Sequence, residues 1–431
     1  MNRNELTIDP RQIPEQVTRL ITELVEAGYP TYLVGGSLRD ILLGRPAHDF
    51  DLATAALPEE VRRVLSAYSI YPTGLKHGTV TVAADNLPIE VTTFRSEGTY
   101  TDRRRPDEVR FERTFAADAA RRDFTINAIA YNQYEGLLDP TGGYADLRRG
   151  VIRAVGEPRQ RFAEDALRIL RALRLAAELD FTIEAETMAA IREAAPTLSC
   201  ISAERKAQEF RRFLVCEPRV LRRLWPESRS VWGEVLTPIG AVSPEWWESI
   251  TAAFAEIGGD FIARLAVLLI SIGISSDAED AATLRRQLIL SNNEWLWLKS
   301  LLEAHNEEYP ASRYELKLLV AEYGYKLLRE WMRIESAMVA AFGGSARSRA
   351  EGQPAWKELS RRLDELEEAG ECCTVAQLEL TGLDLIELGM KPGEALGRCL
   401  EEVLEAVIRE EIPNEKAALR RWAKERCRGL C

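Results

Sequence analysis

The chain has 431 residues, of which 46% are hydrophobic and 29% charged, and its formal net charge is −12. That length exceeds one ordinary core, and the composition excludes a largely disordered chain, so roughly two to four packed units are expected. The acidic total argues against a phosphate-rich partner, but the arginines are concentrated in a few segments, from Arg103 to Arg105, at Arg121 and Arg122, at Arg148, Arg149 and Arg153, and at Arg168, Arg171 and Arg174. A basic track on an acidic protein is compatible with RNA binding.

Val17 to Ala27 has helical apolar spacing and stops at Gly28 and Pro30. TYLVGG follows and reads as a strand entering a tight turn, with Ser37 placed to N-cap the next helix. DFDLAT, KHGTVTVAA and PIEVTTFR are further strand candidates, and PEEVRRVLSAY lies between them as a helix. After Gly150 the strand signals fade. AEDALRILRALRLAAEL predicts one strong helix, SAERKAQEFRRFL another, and the run from Leu265 to Ile274 a buried helix too short to span a bilayer. Tryptophans in the later helices are expected at helix interfaces. Residues 341–356 are the best linker candidate.

The polar first residues lack the features of a secretory signal. Seven cysteines without paired C-x-x-C spacing read as reduced thiols, which together predict a cytoplasmic protein. Three scattered histidines make a histidine-rich metal centre improbable but leave a carboxylate site open.

Gly35, Gly36 and Ser37 sit at a strand-to-helix turn, where backbone N–H groups can approach a phosphate and Arg39 can add a guanidinium. Asp49 and Asp51 are two apart on the next strand candidate, so both carboxylates should share a face while Phe50 enters the core. Two Mg²⁺ ions would account for such adjacent like charges. Glu90 is either a third carboxylate on the same metals or an exposed strand residue. Arg122 and Asp123, in RRDFTINA, suit recognition of a nucleotide's phosphate and sugar, the alternative being a surface helix start with ordinary ion pairs.

Asp165, Arg168, Arg171 and Arg174 recur every third residue and should form a ridge along one helix. Cytosine and adenine both present an exocyclic amine beside an unprotonated ring nitrogen, so an accepting Asp165 beside a donating Arg168 admits both. Uracil and guanine would leave both side chains mispaired, at a cost of a few kcal/mol. Arg171 and Arg174 suit a triphosphate.

The Gly-Gly-Ser turn followed by D-x-D resembles the DNA polymerase beta-like nucleotidyltransferase superfamily. With GGSLRD, DFDLAT, KHGTV, EVTTFR, RRDFTINAIA, DPTGG, EDALRILRALRLA, SAERKAQEF, LTGLDLIELGMKPG and PNEKAALRRW in order, the chain resembles the bacterial class II tRNA nucleotidyltransferase and poly(A) polymerase family over most of its length. The resemblance implies an α+β architecture: a mixed α/β nucleotidyltransferase head over residues 1–150, a helical neck over 151–216, a helical body over 217–340 and a tRNA-binding helical tail over 341–431. It further implies Mg²⁺ on Asp49 and Asp51, contact of Gly36, Arg39 and Arg122 with the incoming nucleotide, and base reading by Asp165 and Arg168 with Arg171 and Arg174 assisting. The expected partners are CTP, ATP and the 3′ acceptor end of tRNA. CC-adding relatives tend to have a shortened loop after EVTTFR, whereas this chain keeps residues 97–111. The loop points to a CCA-adding or an A-adding enzyme, and CCA addition, the general activity of the family it resembles, is the one expected, with A-adding, CC-adding and poly(A)-polymerising enzymes, or a non-catalytic RNA binder, as alternatives. The oligomeric state is left open.

Overall fold

A computed structural model describes residues 8–98, 109–276, 279–343 and 348–426. The chain forms two compact units, Met1–Val242 and Ser243–Cys431.

The first unit opens with helix α1 (Glu15–Glu26), whose Val17, Leu20, Ile21 and Leu24 are buried at helical spacing. Strand β1 (Thr31–Val34) follows, buried along its whole length, and runs directly into α2 (Gly35–Leu42). Then come β2 (Asp51–Thr54), α3 (Pro58–Val64), β3 (Ser69–Gly74), β4 (Thr79–Ala84) and β5 (Leu87–Thr93). A separate two-stranded ribbon pairs β6 (Arg95–Glu97) with β7 (Val109–Phe111). After α4 (Phe115–Ala120), strands β8 (Ala130–Asn132) and β9 (Gly136–Leu138) complete a seven-stranded sheet of order β3-β4-β5-β2-β1-β8-β9. Only β2 and β5 pair in parallel in this sheet, with Asp51 opposite Glu90. One core cluster packs Tyr32, Val34, Ala53, Phe94, Phe115 and Val155 against each other.

Beyond the sheet come α5 (Gly143–Arg149), α6 (Pro158–Glu164), α7 (Leu167–Leu179), α8 (Ala185–Ala194), α9 (Ala203–Leu214) and α10 (Pro218–Gly233). The expected mixed head followed by helices is therefore present, and β3, β8 and β9 are strands that the hydropathy pattern does not announce.

The second unit is helical among its described residues. Its Phe261–Ser271 helix buries Leu265 to Leu269, as the apolar run requires. Trp225 and Trp232 in the first unit and Trp247 and Trp331 in the second are fully buried, whereas Trp246 is 46% exposed. Most of the expected linker at 341–356 is helical instead: one helix ends at Phe342, the next begins at Ser348, and Trp356 packs edge-on against Trp331. Cys200, Cys216, Cys372 and Cys373 are free thiols, but Cys399 is disulfide-bonded, so the expectation of thiols throughout does not hold. Among the described residues no helix is long and apolar enough to cross a membrane.

Candidate active site

Three local expectations change in ways that shape the site. Helix α2 starts at Gly35, which turns the chain at φ +76°, so Ser37 lies inside the helix and donates to the Val34 carbonyl rather than capping it. Strand β2 starts at Asp51, because its ladder with β1 ends at the pair Val34–Asp51, where β1 becomes helix. Asp49 thus precedes the strand and is exposed, while Phe50 is buried as expected. The long helix around Asp165 is in fact two. Asp165 has extended backbone dihedrals (φ −143°, ψ 106°) between α6 and α7, and its carboxylate accepts the Leu167 N–H at 3.0 Å. A short acid competes well for such a position at a helix start.

One cavity of about 450 Å³ collects most of the chemistry, lined among others by Asp51, Glu90, Arg95, Arg122, Asp123, Asp165, Arg168 and Arg171. The central strands, the RRDFTINA turn and the α6–α7 junction thus meet at one place.

On the strand side, burial is the first cause that pushes the Asp51 carboxyl up to about 6, and the neighbouring Glu90 and Asp49 charges push the same way against Arg122. Carboxylates crowded at a cost to one another are suited to a divalent cation. Beside them, a Cβ on Gly35 would lie 3.4 Å from Asp51 Oδ2 and 3.9 Å from Arg122 Nη1, so glycine keeps this space open. Among the described residues no three His, Cys, Asp or Glu side chains converge tightly enough to hold a metal alone.

Gly35→Ala should lower turnover by about tenfold or more, since it adds left-handed strain of ~1–2 kcal/mol and fills the gap next to Asp51. Single-turnover rates at saturating nucleotide test this, with an unchanged rate contradicting the assignment.

On the opposite side, Asp118, almost wholly buried on α4, binds Arg121 at 2.8 Å and Arg122 at 2.9 Å. Burial raises the Asp118 carboxyl, but Arg122 and Arg121 together bring it below its ordinary value. Arg122 also donates to the Asn127 carbonyl at 3.1 Å. Burial likewise opposes the charge of Asp123, yet Arg171 and Arg168 hold its carboxyl at about 2, with Arg171 at 2.8 Å. RRDFTINA is thus a short turn with a 3₁₀ segment at Thr125–Asn127, buried rather than a surface helix start.

Arg168 binds Glu164 at 2.7 Å and the Arg121 carbonyl at 3.2 Å. Asp165 is gripped by Arg205 from α9 at 2.7 Å and 3.3 Å.

Of the expected residues, Gly35, Gly36, Ser37 and Asp49 are not among those that line this cavity, and Arg174 and Arg39 are turned to other partners. Arg174 is 4% exposed and bound to Glu209 at 2.5 Å and Glu178 at 2.8 Å, because the three-residue spacing rotates it past the cavity into the α7–α9 interface. Arg39 grips Asp40 at 2.9 Å and the Asn127 side chain at 3.0 Å and faces a different cavity, although a Cβ on Gly36 would come within 3.6 Å of its Nη2. Asp118, Asn127, Glu164 and Arg205 are site residues to which the sequence pattern assigns no role. The signals for Asp118 and Glu164 are local, an acid three or four residues from an arginine.

A glycine turn opening α2, an acidic cluster on paired central strands and arginine-rich walls define the nucleotidyltransferase class. Residues 31–153 match the Poly A polymerase head domain, 180–225 the probable RNA and SrmB-binding site of polymerase A, and 265–423 the putative tRNA nucleotidyltransferase domain 2. The chain is 35% identical to a CCA-adding enzyme of Leuconostoc mesenteroides, covering 96% of this chain and 98% of that one. It is 33% identical to a CCA-adding enzyme of Streptococcus pyogenes, covering 94% and 95%. The crystal structure of the Bacillus stearothermophilus CCA-adding enzyme in complex with CTP is similar at a TM-score of 0.70 and 31% identity, covering 96% and 98%. The chain belongs to the CCA-adding enzyme family, whose members generally use a divalent metal.

Proposed function

We propose that this protein completes the 3′ end of tRNA by adding C, C and A from CTP and ATP in the cytoplasm. The observation that carries the reading is that Asp51 and Glu90 line one cavity with Asp165 and Arg168. Phosphate chemistry and base reading then meet at a single nucleotide. Residues 1–150 act as head, 151–216 as neck, 217–340 as body and 341–431 as the tRNA-binding tail.

Asp49 and Asp51 would hold Mg²⁺, with Glu90 beside them. A divalent ion bound there would supply charge that favours the ionised 3′ hydroxyl and offsets the charge developing on pyrophosphate. The protein's own part is placement. The uncapped start of α2 offers the N–H groups of Gly35, Gly36 and Ser37 to phosphate oxygens. Arg122, immobilised by Asp118, and Arg171, held on Asp123, present fixed guanidinium groups to the nucleotide, so little ordering remains to be done on binding. Asp165 accepts from the exocyclic amine of C or A while Arg168 donates to the ring nitrogen.

Labelled CTP and ATP offered to tRNA lacking its 3′ CCA, under single-turnover conditions, test the reading. Addition of CCA is expected. Incorporation of CC only, of A only or of a long A tract would assign one of the specialised relatives, and binding without incorporation would assign a non-catalytic RNA binder.

RNA is held without base reading by an arginine track through Arg148, Arg149, Arg153 and the helices from Phe162 to Phe213, in which Arg148 and Arg149 are exposed at the end of α5. Arg153, next along, is already paired with Asp146 at 3.0 Å and with Glu184. Affinity for tRNA is expected to fall by roughly a hundredfold or more between 50 and 200 mM salt. A dissociation constant that stays flat over that range contradicts the track.

A further inference from the structure

On the head, residues at one rim of the catalytic cavity hold beside them an exposed aromatic ring for which the chemistry above has no use. Phe111, on β7, is 44% exposed, and its cross-strand partner on β6 is Arg95, a lining residue of the cavity. The ring rests on Gly78: a Cβ there would lie 2.6 Å from Phe111 Cε1, so no other residue leaves the ring where it is. Gly78 closes the 3₁₀ turn Leu75–His77, in which Leu75 is 45% exposed, and the next residue, Thr79, lines the cavity. Arg95 ties the assembly together by donating to the His77 carbonyl. An apolar ring is thus seated against backbone, fixed to a cavity-lining arginine and left open to solvent.

We propose that Phe111 is the platform on which the 3′-terminal base of the RNA acceptor stacks. The incoming nucleotide's base is engaged from the α6–α7 side by Asp165 and Arg168, whereas Phe111, through its contact with Gly78 and its pairing with Arg95, adjoins the side lined by Thr79, Thr92 and Arg95. Stacking tolerates any base, because every base has a π-face. That is what a growing end requires, since the terminal base changes with each addition. A base resting on this rim directs its ribose hydroxyl toward the strands that carry Asp51 and Glu90. The proposal rests on the reading of the cavity as a nucleotidyl-transfer site.

The test uses full-length protein and a tRNA ending before CCA whose terminal base is 2-aminopurine, with fluorescence read in the absence of nucleotide. Wild-type protein and Phe111→Trp are expected to quench the probe. Phe111→Leu, which keeps an apolar side chain on Gly78, is expected to quench little and to raise the KM for tRNA by about tenfold, with the KM for CTP unchanged. Equal quenching and equal tRNA KM in wild type and Phe111→Leu would overturn the proposal, as would a rise in the CTP KM alone. Because quenching needs no turnover, a wild-type protein that quenches but adds no nucleotide would overturn the catalytic reading and leave the stacking role standing.

Discussion

Asp51→Asn is expected to reduce single-turnover incorporation by about a thousandfold or more, equivalent to about 4 kcal/mol of transition-state stabilisation, while raising the melting temperature of the metal-free protein. The two effects have one origin. Burial, then Glu90 and Asp49, lift the folded carboxyl from 3.8 to about 6. A carboxyl raised on folding destabilises the fold where it is ionised. The penalty is absent below the unfolded value, grows between about pH 4 and 6, and is complete above that, at up to about 3 kcal/mol. Asparagine removes it. The variant should therefore melt several degrees higher than wild type at pH 8 and close to it at pH 4. Divalent metal should stabilise wild type at pH 8 and leave the variant little changed, and tRNA affinity should move by no more than about threefold if the residue serves chemistry alone. A stability difference that is the same at both pH values would sink the assignment of Asp51 to a crowded metal-holding cluster, and retained catalysis would sink its chemical role.

Exchanging Asp165→Arg with Arg168→Asp is the second large effect. Reversing acceptor and donor should shift the preference from CTP and ATP toward UTP and GTP by at least about tenfold in the ratio of rates, because each base then meets the order of groups it lacked. All rates should also fall, for a reason visible in the fold. After the exchange, the guanidinium introduced at position 165 would face Arg205, and the carboxylate introduced at position 168 would face Glu164, where wild type has ion pairs at 2.7 Å in both places. Adding Arg205→Glu should return part of the lost rate by restoring one pair, without restoring the original preference. If the double variant keeps the preference for C and A, base selection resides elsewhere.

How far the site can be read in advance follows from how local its determinants are. The strand, turn and helix around Gly35 and the burial of Phe50 follow from residues within one or two positions. The identity of β5 as the parallel neighbour of β2, which brings Glu90 opposite Asp51, depends on pairing across nearly forty positions and has no local signature. Two departures arise where a regular period stops sooner than its pattern suggests. The alternation that would put Asp49 on a strand runs past the end of the ladder, and the helical spacing through Asp165 is interrupted by that residue's own side chain. Arg174 follows the same extrapolated ridge, yet a drift of a few tens of degrees every third residue turns it into a buried interface. Arg205 is invisible for the opposite reason: it reaches Asp165 from another helix, 40 positions away.

That pairing of Asp165 with Arg205, matched by Arg168 with Glu164, means the protein by itself already satisfies the groups we propose to read the base. An arriving cytosine or adenine exchanges one set of partners for another, and the net gain from an exchange is small. Free cytidine or adenosine should accordingly be a feeble competitor of CTP or ATP, the hold on a nucleotide being supplied by its phosphates. A mismatched base has no comparable exchange to offer, so the protein's own pairs close again behind it. Discrimination of this kind lies in what the site can do for itself.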